Sequence, residues 1–217
     1  MKREITALKA QKRNKDRVNV YLDGEFAFGL AIIEAVQLRV GQKLTSDEVV
    51  ELKMKDEVEW SYERALNFLS YRPRSKEEVR RNLRKKDVDD QVIEVVMDRL
   101  MRAGLVDDRE FADYWVDNRA RFNPRGLRGL RYELRRRGVS HDIIDEALAS
   151  FDAGDAARQV AEAGARRLSR EETEDFRRKL TAYMARRGFS YHLIKPLVEE
   201  KLEERRAENN TEGEGVL

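Results

Sequence analysis

One short pattern recurs three times along this chain of 217 residues, and it restricts the possible folds more than any other feature. Residues 83–89 have the sequence LRKKDVD, residues 134–140 have LRRRGVS and residues 184–190 have MARRGFS, so successive copies lie 51 and 50 residues apart. Self-similarity at a fixed period of this length is typical of stacked supersecondary units. The sequence therefore predicts three tandem repeats, because chance rarely places three such matches at one period.

Each copy of the pattern combines a signal that ends one helix with a signal that begins the next. Basic residues suit the negative end of a helix, and Gly138 and Gly188 suit the left-handed backbone that follows it. Asp87 suits that position less well than glycine does. An apolar residue, a capping residue and an isoleucine then predict a hydrophobic staple around an N-cap. These residues are Val88, Asp89 and Ile93, then Val139, Ser140 and Ile144, and finally Phe189, Ser190 and Ile194.

Apolar residues at helical spacing extend across residues 56–204 and predict three helices in each repeat. The predicted fold is mainly α: a tandem array of three three-helix repeats preceded by a small β-rich N-terminal unit. Stacked helical units with short connections favour a curved array over a sphere. Pro196 should kink the last helix, because it lacks a backbone N–H. The predicted helices span residues 56–71, 75–86 and 89–103, then 108–122, 125–137 and 141–151, then 155–168, 170–187 and 191–206.

The first 45 residues have a different pattern, the alternation of a β-sheet. Apolar and polar residues alternate along 18–22, and an Asp-Gly pair follows at 23–24, which together predict a hairpin. Residues 5–10 can supply a third strand. Residues 30–38 fit either a short helix or a strand.

A capping box marks the start of the helical part of the chain, with Thr45 as N-cap and Glu48 three residues later. The far end of the chain is polar and has nothing to bury, so we expect it to be disordered. The predicted domains are residues 1–52 for the β-rich unit, 53–106, 107–152 and 153–206 for the three repeats, and 207–217 for a disordered tail.

Side chains for catalysis or metal binding are scarce. The chain has no cysteine and only two histidines, His141 and His192, which excludes disulfides, thiol nucleophiles and cysteine zinc sites. No glycine-rich phosphate loop occurs. Adjacent carboxylates at Asp107 and Asp108 could bind a hard cation, but Asp107 with Glu110 three residues later is better explained as a capping box. We predict a protein that is not an enzyme, with no catalytic residue, no metal and no cofactor.

Targeting and membrane signals are also missing from the sequence. The N-terminus has no apolar segment like that of a signal peptide, and no uncharged apolar stretch approaches the roughly 18 residues of a membrane-spanning helix. A cytoplasmic protein is therefore predicted.

A net charge of only +2 conceals two strongly basic segments. Residues 72–86 hold eight Lys or Arg and two acids, and residues 119–137 hold eight and one. The two segments are equivalent in the repeat. Either these charges pair with acidic residues of neighbouring helices and form solvated faces, or they form a basic surface for a polyanion or an acidic protein groove. The candidate binding residues are Arg72, Arg74, Arg80, Arg84, Lys85, Arg121, Arg125, Arg128, Arg131, Arg135 and Arg136.

Aromatic residues among these basic segments are few, namely Tyr71, Phe122 and Tyr132. No recognition-helix motif accompanies them, so the pattern does not support sequence-specific reading of DNA.

Two longer segments resemble a known family. Residues 65–79 have the sequence ALNFLSYRPRSKEEV and residues 104–112 have GLVDDREFA, and PRG at 124–126 and LRRRG at 134–138 follow. At this spacing they resemble the RecX family of recombination regulators, over about residues 56–204. The β-rich start is similar to that of longer members. Asp87 in place of a glycine and a divergent third repeat depart from the family pattern.

The resemblance implies three tandem three-helix units that bind the helical groove of a RecA recombinase filament. Such binding implies inhibition of strand exchange, of ATP hydrolysis and of the RecA-assisted cleavage of the SOS repressor. The implied partner is the RecA filament, with single- or double-stranded DNA as a further one, and the protein is expected to act as a monomer away from membranes. The alternative is a general basic nucleic-acid-binding module.

Overall fold

A computed structural model describes residues 2–12 and 14–214, with side chains up to residue 207. The chain divides into two compact units, Met1–Val106 and Asp107–Leu217. The first unit contains an N-terminal sheet and the first repeat, and the second contains the other two repeats. None of the helices within the described ranges is long and apolar enough to span a membrane.

The N-terminal sheet consists of the strands β1 (Lys2–Ala10), β2 (Arg17–Leu22), β3 (Glu25–Ala31) and β4 (Lys43–Thr45). It is antiparallel, with the strand order β3-β2-β1-β4. Apolar side chains of the second strand alternate inward as predicted, and the turn that follows has positive φ at both Asp23 (52°) and Gly24 (89°), as a tight hairpin requires. Residues 30–38 begin in a strand and continue as a one-turn helix. The fourth strand was not predicted, because three residues are too few to show alternation. The one-turn helix is α1 (Ile32–Ala35).

A single long helix, α2 (Ser46–Leu69), joins the sheet to the first repeat. Its predicted capping box is confirmed: the Thr45 hydroxyl accepts a hydrogen bond from the Glu48 N–H at 3.2 Å, and the Glu48 carboxylate accepts one from the Thr45 N–H at 2.7 Å. Leu52 packs against the sheet, whereas Ala65 is buried in the core of the repeat. The predicted boundary between residues 52 and 53 therefore lies inside a helix that both cores share.

The remaining helices confirm the mainly α fold with three tandem three-helix repeats. Each repeat has a separate apolar core. In every repeat, the apolar residue just before the N-cap of the third helix is buried in this core together with the isoleucine of that helix, as the predicted staple requires. These helices are α3 (Lys76–Arg84), α4 (Asp90–Arg102), α5 (Asp108–Phe122), α6 (Leu127–Arg136), α7 (His141–Leu148), α8 (Ala153–Arg167), α9 (Thr173–Arg186) and α10 (Tyr191–Glu214).

The same turn ends the second helix of all three repeats. In the second repeat, the Val139 N–H donates to the Leu134 carbonyl at 3.2 Å, and Gly138 has φ of 80°. This is a Schellman turn, which satisfies carbonyls that the helix end would leave free. Gly188 adopts the predicted left-handed conformation as well (87°), and so does Asp87 (58°), because aspartate tolerates that region better than most side chains.

The start of the third helix differs between repeats. Asp89 accepts a hydrogen bond from the Gln91 N–H at 2.8 Å, but the Ser140 hydroxyl makes no capping hydrogen bond with a described residue. The predicted side-chain cap at Ser140 is therefore wrong, although its carbonyl accepts from the Ile144 N–H at 3.0 Å. A hydroxyl caps a helix in only some rotamers, and the acidic Asp142 in the first turn already favours this helix end electrostatically.

The last helix extends further than the sequence pattern indicates. We predicted disorder from residue 207, whereas α10 continues to Glu214. Each residue added to an existing helix contributes a backbone hydrogen bond without a new nucleation cost, so a helix can extend beyond the residues that it buries. Among the side chains described up to residue 207, the last buried one is Leu202. Pro196 lies inside α10, where the kink stays a prediction, and the predicted tail at 215–217 lies outside the described residues.

Candidate binding surface

The loop before α3 is held by Arg72, one of the candidate binding residues. Its guanidinium donates two hydrogen bonds to the Glu78 carboxylate, at 2.9 and 3.0 Å, and another to the Pro73 carbonyl at 2.7 Å. Glu78 also forms a capping box with the buried Ser75. Arg72 is therefore engaged in fixing the start of α3, which the sequence analysis missed because the box lies within a run of charges.

Ion pairs between the second and third helices recur from repeat to repeat. Arg80 on α3 pairs with Glu94 on α4 at 2.8 Å, and Arg131 on α6 pairs with Asp145 on α7. Both members of the second pair lie 51 positions after those of the first. These two candidate residues bind acidic side chains of their own repeat, as the solvated-face interpretation expects.

A second recurrent contact lies one turn further along the same helices. Arg84 pairs with Asp90 at 2.9 Å, and Arg135 contacts the His141 ring nitrogen at 2.7 Å, again 51 positions later. All four side chains are exposed. Exposed pairs of this kind contribute little to stability and open readily, so both arginines remain accessible to a partner.

Glu133, the only acid in the basic segment 119–137, neutralises two of its arginines. Its carboxylate accepts hydrogen bonds from the Arg119 Nε at 2.7 Å and the Trp115 Nε1 at 2.8 Å, and lies 3.4 Å from the Arg125 Nε. The side chain is only 17% exposed. In the first repeat, the counterpart of Arg125 is Arg74, whose guanidinium stacks on the Phe68 ring at 3.9 Å.

Four of the candidate residues form no ion pair or hydrogen bond with any described residue. They are exposed, and we call them the four unpaired cations. On α6, Arg128, Tyr132 and Arg136 are spaced four residues apart and share one face, with the Arg136 guanidinium 5.7 Å from the centre of the Tyr132 ring. The four unpaired cations are Lys85 in the first unit and Arg121, Arg128 and Arg136 in the second.

Arg80 changes the acid–base behaviour of its partner. Its hydrogen bond is the main reason that the pKa of Glu94 lies below the usual carboxyl value; burial opposes this shift, and the charges of Arg80 and Arg84 add smaller effects that lower the pKa further. Glu94 therefore stays ionised at neutral pH and continues to hold Arg80.

The start of α6 is covered by the end of α9 within the second unit. The Gly126 N–H donates to the Arg187 carbonyl at 3.0 Å, and the Arg187 guanidinium binds the Asn123 side chain at 2.7 Å. A methyl group at Gly129 would lie 2.5 Å from the Arg187 carbonyl oxygen, and one at Gly188 would lie 2.2 Å from the Gly129 nitrogen. Only glycines allow this approach, which we call the glycine contact (Gly126, Gly129 and Gly188).

A groove of opposite charge lies elsewhere in the second unit, with a volume of about 480 Å³. Carboxylates on α5 and around the start of α8 line it together with apolar side chains such as Phe151. Within the described ranges, no group of three or more His, Cys, Asp or Glu side chains is arranged to hold a metal ion. The carboxylates are Asp113, Asp117, Asp152 and Asp155.

Known proteins match this chain along nearly its whole length. Residues 3–45 match the regulatory protein RecX N-terminal domain, and residues 62–100, 107–148 and 152–198 match the first, second and third three-helix domains of RecX. A regulatory protein RecX from Bacillus licheniformis is 32% identical over 201 residues, which cover 90% of this chain and 76% of that protein. The chain belongs to the RecX family.

Other RecX proteins agree in sequence and in structure. The regulatory protein RecX of Clostridium acetobutylicum is 32% identical over 205 residues, covering 90% of this chain and 95% of that protein. A crystal structure of regulatory protein RecX aligns with a TM-score of 0.70 at 26% identity, over 91% of this chain and 99% of that one. These matches confirm the resemblance to the RecX family that the sequence shows. The RecX relatives of this chain are named as regulatory proteins.

Proposed function

We propose that this RecX-family protein binds the RecA–DNA filament and inhibits its recombinase, ATPase and SOS co-protease activities. The match of all four RecX domains in their natural order carries the proposal. The protein would act as a cytoplasmic monomer, without enzymatic activity of its own.

The first test measures the ATPase activity of RecA on single-stranded DNA as the protein is added. We expect the rate to fall, and we expect the protein to sediment with preformed filaments. An unchanged rate together with no co-sedimentation would contradict the proposal.

The four unpaired cations are the best-supported contact residues within the proposed surface. Seven of the eleven candidate residues already have partners inside their own unit. Five of these partners are carboxylates that partly neutralise the arginine, whereas Arg135 contacts a histidine and Arg74 an aromatic ring. Lys85 and Arg136 occupy equivalent positions of the first and second repeats and are exposed in both. A partner that binds both repeats would contact a cation at the equivalent position of each.

Charge reversal at these two positions tests the surface. We expect Lys85→Glu and Arg136→Glu each to weaken filament binding, because each removes a positive charge and adds a repulsive one. Matched controls are Arg102→Glu in the first unit and Arg166→Glu in the second, both highly exposed and outside the proposed surface. If all four variants bind the filament equally well, the basic segments are solvated faces and do not form a binding surface.

The alternative function, general nucleic-acid binding, is favoured by the face of α6 that carries Arg128, Tyr132 and Arg136. Alternating cations and an exposed ring are what proteins use to hold single strands, through phosphate contacts and base stacking.

Binding to naked single-stranded DNA should be compared with binding to DNA coated with RecA and a slowly hydrolysed nucleotide. Each lost phosphate contact should lower the slope of log affinity against log salt by about 0.7 on single strands. Equal affinity for both targets would favour the alternative.

A further inference from the structure

The two most exposed aromatic side chains of the described residues occupy the same position in two repeats. Tyr71 is 78% exposed and Phe122 is 79% exposed, and they lie 51 positions apart. Tyr71 follows α2 by two residues, and Phe122 is the last residue of α5. Single exposed apolar residues are common on protein surfaces. Exposure of a large ring at the same place in two copies, where one copy has tyrosine and the other phenylalanine, is not expected by chance.

Neither ring is used inside its own unit. Both lie outside the apolar cores, and neither forms an aromatic or cation–π contact with a described residue. Nothing in the fold of either unit therefore requires an aromatic residue at this position.

The backbone that follows each ring contacts an arginine side chain, closely in the first repeat and at the limit of hydrogen-bond distance in the second. In the first repeat the Pro73 carbonyl accepts a hydrogen bond from Arg72 at 2.7 Å, and in the second the Pro124 carbonyl accepts one from Arg187 at 3.5 Å. The equivalent carbonyl is thus bound by an arginine in both loops, although the arginines come from different positions. Each proline also fixes one backbone angle. A restrained backbone leaves mainly the two side-chain torsions of the ring to be ordered on binding.

We propose that Tyr71 and Phe122 are anchor side chains that insert into apolar pockets on a protein partner. This inference rests on the proposed function, and the partner it describes is a protein that presents the same pocket more than once, as an assembly of identical subunits does. Aromatic anchors in pockets dominate the binding energy of many protein interfaces.

The charges beside the rings favour a protein pocket over stacking on nucleic-acid bases. The residue before the ring is Ser70 in the first repeat and Arg121 in the second, so an adjacent unpaired cation is not repeated with the ring. Arg72 is already paired with Glu78. A surface that stacks bases combines its rings with cations that follow the phosphates, whereas no unpaired cation directly beside these rings is present in both repeats.

The third repeat lacks this element. Its first helix, α8, ends at Arg167, and the Leu168 side chain that follows is partly buried against the core of the repeat. The anchors are therefore assigned to the first two repeats.

The test uses the full-length variants Tyr71→Ala and Phe122→Ala and the double variant, with RecA filaments on single-stranded DNA and with naked single-stranded DNA. We expect each single change to weaken filament binding by about tenfold and the double change to weaken it further, as the loss of an interface anchor does. Tyr71→Phe and Phe122→Tyr should bind as the unchanged protein does, because the ring is kept. Tyr191→Ala is the matched control, since that ring is 68% exposed but lies in the third repeat away from this position. Unfolding midpoints should stay the same, because the rings contribute to no core.

The outcomes separate this inference from the function on which it rests. If the unchanged protein binds the filament and the alanine variants bind it equally well, the anchors are wrong and the proposed function stands. If affinity for naked DNA falls as much as affinity for the filament, the rings stack on bases and the protein pocket is wrong. If the unchanged protein does not bind the filament, the proposed function fails, and the inference fails with it.

Discussion

Asp89 and Ser140 have the same position in consecutive repeats but not the same role. The Asp89 carboxylate accepts a backbone hydrogen bond at the start of α4, while the Ser140 hydroxyl accepts none from the described residues at the start of α7. We therefore expect Asp89→Ala to destabilise the protein by about 1 kcal/mol, the usual cost of a lost N-cap. Ser140→Ala should cost clearly less.

Urea denaturation of the two alanine variants measures this difference directly. Since both positions are exposed, no loss of packing should obscure the comparison. Equal losses of stability would show that Ser140 does cap α7 in solution.

Between helices, the pair of Arg80 and Glu94 links stability to pH. The hydrogen bond from Arg80 lowers the pKa of Glu94 in the folded protein. A carboxyl with a lowered folded pKa adds stability above its unfolded pKa, near 4.3, and that contribution is lost as the pH falls through the folded value. The contribution should be small, because Glu94 is about half exposed.

Arg80→Ala should therefore reduce stability at pH 7 and leave it nearly unchanged near pH 2. The measurement is the urea midpoint for unfolding of the first unit, taken between pH 7 and pH 2 for the unchanged protein and for the variant. The difference between the two midpoints should shrink as the pH falls. A difference that stays constant over this range would mean that the pair contributes nothing through ionisation.

At the scale of the whole molecule, the repeat pattern predicted the three-helix units because each turn combines several independent signals. Leu134, Gly138, Val139 and Ile144 all have the predicted roles, and these roles depend only on residues close in sequence. The candidate surface was harder to predict, since whether an arginine is free depends on residues far from it. Arg128 and Arg131 look alike in the sequence, yet only Arg131 lies opposite a carboxylate on the next helix.

The glycine contact was also beyond sequence reasoning, because it joins residues more than 50 positions apart through backbone atoms alone. Alanine normally stabilises a helix interior relative to glycine, by about 1 kcal/mol. We expect Gly129→Ala to do the opposite and to destabilise the second unit by about 1–3 kcal/mol, the usual cost of overpacking. Thermal or urea unfolding would measure it, and a gain in stability would contradict the close approach.

The same contact limits how the protein can change by mutation. A clash between two side chains can usually be relieved by making one of them smaller, but here both sides are already glycine or bare backbone. No second-site substitution at the contact can make room for a methyl group on Gly129. A search for compensating mutations should therefore recover only reversion to glycine or changes that stabilise the unit elsewhere. A single substitution can thus abolish the glycine contact, but only the reverse substitution can restore it.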